Sequence, residues 1–514
     1  MTSSPRHGTS PGLIVFSMVA LALGAVLIGL VGAVFGWVGQ ALLVTLLVPA
    51  ALLAMDYRIG LILLIVLMPY ANSRIIPQLG PLSVINLLLA GLCFLYVMRL
   101  ALLRLANRAS PLPVERELVL YYLLPITLAA MVGSMHVGEI PQHFLVANQL
   151  EHFNLRDYWI SQYFKTMLLV FVACIIGAAV VEYGKGMRFG IALAVSAVVF
   201  VLAIGVLVAV TGVSLSRLKD DRSFLVLLGR QNNEAGILLA TALGPMLFMQ
   251  NYIRHKVGGW MLRLGVGAVI CGIVVTFSRG AFLGMLAIVT AYVLHFKRVK
   301  TAFTVLVLAV VCAALAPAEV WERLSVGLEP ARNAGLTSGQ SDELTAGRVD
   351  TWKSLLPDVV RSPVWGRGEM STQWSTHVKT SLYSATHPHN MYLEILMDMG
   401  LLGVAAMFLF YRHMWRTFRR LGHDERLPGP MRGYFLGAWT SMLAMFIYGF
   451  SNGHYYPAPE QIFYWVSVGL AFGYVAYLRK EAPAIGITPA EPVPPRRGGF
   501  RVPPDRILGW RSGR

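Results

Sequence analysis

Long apolar runs recur along almost the whole chain and leave few kinds of fold open to it. Of its 514 residues, 56% are hydrophobic and only 13% are charged, whereas a soluble domain carries about a quarter charged residues. A helix needs about 20 mostly apolar residues to cross a bilayer, because each backbone N–H and C=O must be paired within the segment. The sequence therefore predicts an all-α, polytopic integral membrane protein.

The apolar runs predict about 12–14 transmembrane helices. Residues 59–71 are short for a crossing and could be re-entrant, whereas residues 12–36 are too long for the apolar core of a secretory signal and are expected to be a retained helix. The predicted spans are 12–36, 38–55, 59–71, 83–103, 117–135, 164–183, 188–213, 234–252, 260–278, 280–296, 301–319, 391–411, 432–451 and 461–478.

These spans divide the chain into two parts of one helical bundle, which are separated by a long loop expected to contain short amphipathic helices. A short segment precedes the bundle, and a tail rich in Pro and Arg follows it. The tail has no periodicity that could bury a core and is expected to be disordered. The predicted parts are 1–11, 12–319, the loop 320–388, 389–478 and the tail 479–514.

Basic residues in the short loops predict the orientation, because loops rich in Lys and Arg stay in the cytoplasm. Their alternation along the chain places the N-terminus and the tail inside and the long loop outside. The net charge of +17 then reflects topology and contact with anionic membrane lipids. Binding of nucleic acid is not implied.

Three polar segments lie on the predicted outer face, and the first is LLGRQNNEAGILL around Arg230. Asn233 suits the N-cap of the apolar run that follows, and Glu234 suits the positive end of a helix, so a structural start signal explains much of this segment. The cap does not explain Arg230, whose guanidinium offers a rigid fork of donors to a phosphate. A functional and a structural role both remain open for Arg230, whereas a structural role is favoured for Asn233.

The second segment is Ser278-Arg279-Gly280, a tight turn between two apolar runs. An arginine inside the bilayer costs about 2.5–3.5 kcal/mol or more, so Arg279 needs an anionic partner or water. A lone interfacial arginine usually extends to lipid head groups. On the outer face, however, the charge rule disfavours it, which favours a ligand-binding role.

The third segment is HPHN, residues 387–390, which ends the long loop. A histidine has an unperturbed pKa of about 6.5, so His389 can accept a proton from an incoming hydroxyl. The alternative is that His389 and Asn390 only cap the following helix. Glu394 and Asp398 follow one turn apart on the same helix face, and acidic residues within membrane segments are functional candidates.

The long loop also contains an amphipathic stretch, VDTWKSLLPDVVRS. It could lie along the membrane surface as a lid or platform over the site. The apolar residues expected on one side are Val349, Trp352, Leu355, Leu356, Val359 and Val360.

Taken together, these segments resemble the O-antigen ligase and O-antigen polymerase superfamily of bacterial envelope glycosyltransferases. The best match is HNMYLEILMDMGLLG, which fits a ligase motif with His389, Asn390, Gly400 and Gly403 at its defined positions. The resemblance covers roughly residues 225–410. Its companion features are the turn at Ser278, the segment with Arg230 and Asn233, and the loop strings GRVDTW and SPVWGRG, with Gly347, Arg348, Trp352, Pro363, Gly366 and Gly368.

The resemblance implies transfer of a glycan from undecaprenyl diphosphate to an acceptor hydroxyl, at the periplasmic face of the bacterial inner membrane, in the synthesis of surface polysaccharides. His389 would be the base, and Arg230 and Arg279 would hold the diphosphate. The further side chains expected to contact substrates are those of Arg348, Asn233, Asn390, Glu394, Ser278 and His387.

No metal and no other cofactor are expected. A diphosphate is a good leaving group once its charge is matched, so the protein needs to supply positioning, a base and cations. The sequence has no D-x-D carboxylate pair, with which many sugar-nucleotide enzymes hold a metal. The cysteines stand singly in apolar runs, without the spacing of a metal or disulfide framework; they are Cys93, Cys174, Cys271 and Cys312.

Several alternatives remain open. The acceptor could be a lipid A core, the end of a growing polysaccharide, as in a polymerase, or a protein, and no single residue separates these. A transporter without catalysis is disfavoured, because the sequence has no internal repeat and no P-loop, and its ionisable groups gather at one face. A non-enzymatic scaffold for envelope assembly is the third class. The expected partners are the lipid-linked donor, the acceptor and membrane lipids.

Overall fold

The fold is taken from a computed structural model of the chain. The structure describes residues 56–73, 78–79, 82–109, 111–148, 150, 153–211, 223–296, 348–380 and 387–481. Several predicted features lie outside these residues, namely the N-terminal segment 1–11, the spans 12–36, 38–55 and 301–319, the first part of the loop at 320–347, and the tail from residue 482.

The described part is built almost wholly from helices. In chain order these are α1 (Tyr57–Leu67), α2 (Val84–Leu105), α3 (Arg116–Ser134), α4 (Gln142–Ala147), α5 (Leu155–Tyr183), α6 (Met187–Thr211), α7 (Ser223–Leu227), α8 (Asn232–Met249), α9 (Lys256–Val275), α10 (Arg279–Phe296), α11 (Arg348–Arg361), α12 (Thr376–Thr380), α13 (Met391–His423), α14 (Gly429–Gly449) and α15 (Ile462–Glu481). Two short antiparallel strands, β1 (Gln78–Leu79) and β2 (Leu82–Ser83), precede α2.

Within these described residues, eight helices are long and apolar enough to cross a membrane. They are α2, α3, α5, α6, α9, α10, α13 and α15, the last together with a preceding 3₁₀ turn (Pro459–Gln461). The prediction of an all-α, polytopic membrane protein is therefore confirmed.

Two further helices, α8 and α14, coincide with the predicted spans 234–252 and 432–451 but are not among those eight. Their packing shows why they need not be strongly apolar. A Cβ on Gly437 would lie 2.1 Å from the carbonyl oxygen of Gly244, and the Ser441 hydroxyl donates to the carbonyl of Thr241 at 2.8 Å. Because neighbouring helices cover α8 along its length, its contacts are with protein rather than with lipid.

The predicted span 59–71 forms α1 and a 3₁₀ turn, Met68–Tyr70, which together are shorter than the spanning helices. Leu61, Leu64 and Ile65 are fully buried. This segment is therefore a packed core helix within the bundle, and by length alone it falls short of the about 20 residues that a crossing needs.

Helix α13 is broken at Gly400, whose φ of 63° and ψ of −162° are not helical. The break frees carbonyl groups for the preceding loop: the N–H of Arg367 donates to the carbonyl of Met397 at 2.8 Å, and the N–H of Gly368 donates to that of Asp398 at 2.9 Å. On the other side of the break, the N–H of Leu401 donates to the carbonyl of Pro363 at 2.9 Å. The loop string SPVWGRG is thus docked into α13.

The amphipathic stretch forms α11, and its apolar residues differ in how far the bundle covers them. Leu355 and Val359 are buried in a small cluster with Met397 of α13, whereas Leu356 is 50% exposed and Val360 is 75% exposed. All four residues lie on the apolar side expected from the sequence, because helical periodicity brings positions 355, 356, 359 and 360 to one side. Only part of that side packs against α13.

Candidate functional site

Four segments meet at one end of the bundle: the start of α8, the turn between α9 and α10, the start of α13, and the connection 450–461 between α14 and α15. A Cβ on Gly236 of α8 would lie 2.9 Å from Cβ of Ser278, and one on Gly280 would lie 2.5 Å from Oγ of Ser451. The structure thus brings together the three polar segments singled out in the sequence. The fourth segment, which contains Ser451, was not singled out.

His389 lies directly before α13, beside the connection 450–461. Its φ of 53° is in the left-handed region, which non-glycine residues rarely occupy and which often marks a functional constraint. Its Nδ1 lies 3.1 Å from Oδ1 of Asn452. Asn390 is the N-cap, since its Oδ1 accepts from the N–H groups of Tyr392 and Leu393 at 3.0 and 3.1 Å, so the capping role considered for Asn390 is present.

Three histidine rings contact one another in turn at this point, in tilted and edge-on arrangements. The ring centroids of His387 and His389 are 4.0 Å apart, and those of His387 and His454 are 4.3 Å apart. The N–H of His389 donates to Nδ1 of His387 at 3.2 Å. Nδ1 of His454 lies 3.1 Å from Oε1 of Glu394. These contacts link His389, through His387 and His454, to the buried carboxylate of Glu394.

His454 differs from the other two histidines in its electrostatic surroundings. Burial by itself favours the neutral ring, but the charge and hydrogen bond of Glu394, together with the carboxylates of Glu460 and Glu234, outweigh it and raise the pKa of His454 to about 9. At neutral pH His454 is therefore an imidazolium paired with Glu394. It is therefore a poor candidate for a base.

Among the residues that the structure describes, two groups of side chains have the composition of a metal site. His387, Glu394 and His454 bring ligand atoms within 4.8 Å of one another, as do Glu115, Glu117 and His413 in another part of the bundle. In the first group, Nδ1 of His387 accepts the N–H of His389 and Nδ1 of His454 faces Glu394, so one nitrogen of each ring is already engaged. The expectation that the chemistry needs no metal stays a prediction.

Arg230 is almost fully buried, with 2% of its surface exposed. Its Nε donates to the carbonyl of Pro69 at 2.8 Å and its Nη2 to that of Met68 at 2.9 Å. Its Nη1 lies 3.6 Å from Oε2 of Glu234 and 3.5 Å from Oε2 of Glu460. The guanidinium thus joins the end of α1 to α8 and to the connection before α15, and two carboxylates already face its charge.

The N-cap expected at Asn233 is wrong by two residues. Helix α8 begins at Asn232, and its N-cap is Gln231, whose N–H donates to Oε2 of Glu234 at 3.4 Å. Asn233 therefore lies in the first turn of α8, half-buried, and Glu234 lies at the positive helix end as predicted.

Arg279 is the first residue of α10 and is half-buried. The turn before it is tight, as predicted: Phe277 has a φ of 53°, and Ser278 is buried with Oγ 3.4 Å from the N–H of Ala281. Ser278 therefore acts as a cap for α10. Arg279 is held at the same end of the bundle as Ser451, next to the connection that carries Asn452 and His454.

Glu394 and Asp398 are both buried on α13, with 5% and 2% of their surface exposed. Asp398 ties the loop to the bundle: Oδ1 accepts from the N–H of Ser371 at 3.1 Å, and Oδ2 accepts from the Tyr455 hydroxyl at 2.9 Å. These contacts give Asp398 a structural role, whereas Glu394 faces His454 within the histidine cluster.

Glu369 is a third buried carboxyl, and no sequence pattern pointed to it. It is 1% exposed and lies in the docked loop, where its N–H donates to the carbonyl of Ala129 at 2.9 Å. Burial, followed by the charges of Asp398 and Glu394, raises the pKa of Glu369 to about 8. The side chain is therefore protonated at neutral pH.

The connection 450–461 supplies Asn452, His454 and Glu460, which the sequence reasoning missed. A signal was present, because SNGHYYPAPEQ is a polar, Gly- and Pro-containing stretch between two predicted spans. Counting the predicted membrane crossings puts this stretch on the same predicted face as His389. For Arg348, by contrast, the structure describes only the backbone at the start of α11, so its expected substrate contact lies outside the described side chains.

Comparison with known protein families gives one result for this region. Residues 264–408 match the family model described as O-Antigen ligase. The match contains the turn at Ser278 and the motif from His389 to Gly403, but it excludes Arg230 and the connection with Asn452. Comparison with curated proteins gives no match. Residues 264–408 are therefore similar to the O-antigen ligase family, and this similarity agrees with a membrane enzyme that transfers glycosyl groups.

Proposed function

We propose that the chain transfers a glycan from undecaprenyl diphosphate to an acceptor hydroxyl, with His389 as the base. The observation that carries the proposal is the position of His389, which stands in left-handed backbone where four segments of the bundle meet. The match of residues 264–408 to the O-Antigen ligase model supports the reaction class.

The reaction needs no redox partner. The acceptor oxygen forms a bond to the anomeric carbon of the donor glycan, and its proton passes to a ring nitrogen of His389. The bond between the anomeric carbon and the diphosphate oxygen breaks, and its electron pair leaves with undecaprenyl diphosphate. Because the leaving group carries the developing charge, a fixed cation near it stabilises the transition state.

Arg279 is the better placed of the two arginines for this task. It is half-buried at the N-terminus of α10, where the helix dipole adds to its charge. Arg230 lies deeper, donates to two backbone carbonyls and faces Glu234 and Glu460. Direct contact between Arg230 and a diphosphate would require it to leave those partners, so we propose that its main role is to hold the segments of the site together.

The acceptor is proposed to be a lipid A core, a growing polysaccharide or a protein hydroxyl, at the periplasmic face of the bacterial inner membrane. The chemistry at His389 is the same for all three acceptors. Deletion of the chain from its host, followed by analysis of surface material, distinguishes them by what disappears: capped lipopolysaccharide, free polysaccharide or glycoprotein.

The mechanism is tested with purified protein in lipid nanodiscs, given only a polyprenyl-diphosphate-linked glycan and a candidate acceptor. A positioned base contributes about 100- to 10,000-fold, so His389→Ala should lose transfer by that factor while the protein remains folded. The matched control is His423→Ala, at the far end of α13, which should transfer like the unmodified protein. Full transfer by folded His389→Ala would exclude this mechanism.

A further inference from the structure

The contact between His389 and Asn452 joins two helices that are packed tightly at this end. The Tyr392 hydroxyl of α13 donates to the carbonyl of Phe446 in α14 at 2.8 Å. A Cβ on Gly449 would lie 2.9 Å from Cε of Met391. The contacting residues of α13 lie within three positions of His389, and those of α14 lie within six positions of Asn452. The packing of α13 against α14 therefore sets the distance between the His389 and Asn452 side chains.

Asn452 is itself held in place. It is 7% exposed, and its N–H donates to the carbonyl of Tyr448 at 3.0 Å, at the end of α14. Its Nδ2 donates to the Tyr448 hydroxyl at 2.7 Å. The amide nitrogen is turned to Tyr448 and the amide oxygen faces His389. With the amide in this orientation Nδ1 of His389 is the donor, because an oxygen can only accept.

We propose that Asn452 is the positioning residue of this site: its side-chain oxygen holds the proton of His389 on Nδ1 and leaves Nε2 with the lone pair that takes the acceptor's proton. The inference rests on the proposed function, in which His389 is the base. Asn452 acts through His389 and does not itself need to contact a substrate.

The neutrality of Asn452 fits the charges around it. A carboxylate in the same place would fix the same tautomer, but it would also favour the protonated ring. Carboxylates are already abundant here, and a diphosphate adds further negative charge. The titratable groups that contact this cluster or influence it from the surrounding elements are His387, His454, Glu394, Glu460, Glu234, Tyr448 and Tyr456, and Arg230 faces two of these carboxylates.

Two variants separate orientation from simple support of the fold. Asn452→Ala removes the acceptor and should lower kcat by about 10- to 100-fold with little change in KM, because a misoriented base affects the chemical step. Asn452→Asp keeps the acceptor and adds charge. It should retain transfer at high pH, with the rising limb of the pH–rate profile displaced upward by about one pH unit. If Asn452 only supported the fold, Asn452→Asp would lose activity equally at every pH.

The chain offers a matched control in a second Asn–Tyr pair. Asn251 donates from Nδ2 to the Tyr292 hydroxyl at 2.9 Å, next to the opposite end of α8. Asn251→Ala removes the same kind of hydrogen bond away from His389, and it should leave both kcat and the pH–rate profile unchanged.

A second measurement does not depend on glycan transfer. The rate at which diethyl pyrocarbonate modifies His389, followed by mass spectrometry of the peptide as a function of pH, reports the protonation of the ring. The midpoint should rise in Asn452→Asp and stay in place in Asn251→Ala. An unchanged midpoint in Asn452→Asp overturns the inference even if transfer is observed. A shifted midpoint in a protein that transfers nothing upholds the contact and instead overturns the proposed function.

Discussion

A Cβ on Gly400 would lie 2.4 Å from the carbonyl oxygen of Val364, so the backbone of the loop and that of α13 touch without an intervening side chain. The helix breaks at this glycine, and the carbonyls released by the break accept the N–H groups of Arg367 and Gly368. The glycine of the ligase motif and the SPVWGRG string of the loop are therefore one structural unit. The spacing from His389 to Gly400 fixes where the loop docks relative to the candidate base.

Gly400→Ala should lower both stability and transfer. The new Cβ would clash with Val364 and would also strain a left-handed φ, which costs about 1–3 kcal/mol before any clash is counted. Thermal unfolding in detergent and limited proteolysis of the loop measure the effect. Gly91→Ala in α2 is the control: nothing lies within 4 Å of a Cβ there, so it should unfold at or above the normal temperature. Equal behaviour of the two variants would show that the docking is unimportant.

Arg230→Lys and Arg279→Lys should fail in different ways. Lysine at 230 cannot donate to Pro69 and Met68 while also facing Glu234 and Glu460, and disruption of a buried charge network costs about 3–5 kcal/mol. We expect Arg230→Lys to lower the unfolding temperature strongly. Arg279→Lys should unfold normally but transfer slowly, because a point charge replaces a fork that matches phosphate.

The unfolding temperature and the rate of glycan transfer are measured on the same preparations of the two variants and of the unmodified protein. A stable Arg230→Lys protein that has lost transfer would instead indicate direct contact between Arg230 and the donor.

Glu369→Gln should stabilise the protein at alkaline pH. In the unfolded chain this carboxyl loses its proton near its ordinary pKa of 4.5, whereas in the folded chain burial and two neighbouring carboxylates raise the pKa of Glu369 to about 8. The protonated carboxyl of Glu369 therefore makes its full contribution to the free energy of unfolding below the pKa of the unfolded chain. This contribution is lost as the pH rises through the pKa of the folded chain. Glutamine resembles the protonated form and removes this dependence.

The expected result is a gain in unfolding temperature over the unmodified protein that is small near about pH 5 and larger near about pH 8.5. Glu425→Gln, at an exposed position beyond the far end of α13, serves as the control and should show no such trend. A gain from Glu369→Gln that is the same at both pH values contradicts the buried, protonated carboxyl.

The orientation is tested by reporters fused at two points of the chain. A reporter after His387 should be active in the periplasm and one after Arg420 in the cytoplasm, because the basic residues near Arg420 favour the inside. Alkaline phosphatase and green fluorescent protein report the two compartments. The opposite pattern would place His389 on the cytoplasmic side and would remove access to a periplasmic acceptor.

The sequence alone determined the class of protein, most helices of the described part and the segments of the site. Hydropathy and charge act over about 20 consecutive residues, so they can be read locally. Counting the predicted membrane crossings then predicted that Arg230, Arg279 and His389 share one face. The ligase motif pointed to the family whose model residues 264–408 match.

Only the tertiary structure decided what these residues contact. Arg230 was open to a structural or a functional role until α1, Glu234 and Glu460 were found around its guanidinium. Asn452 lies 63 residues from its partner His389, and Gly400 breaks a helix that hydropathy reads as continuous. Hydrogen bonds and ion pairs depend on which helices become neighbours, and that choice is made by the packing of the whole bundle, which no local pattern records.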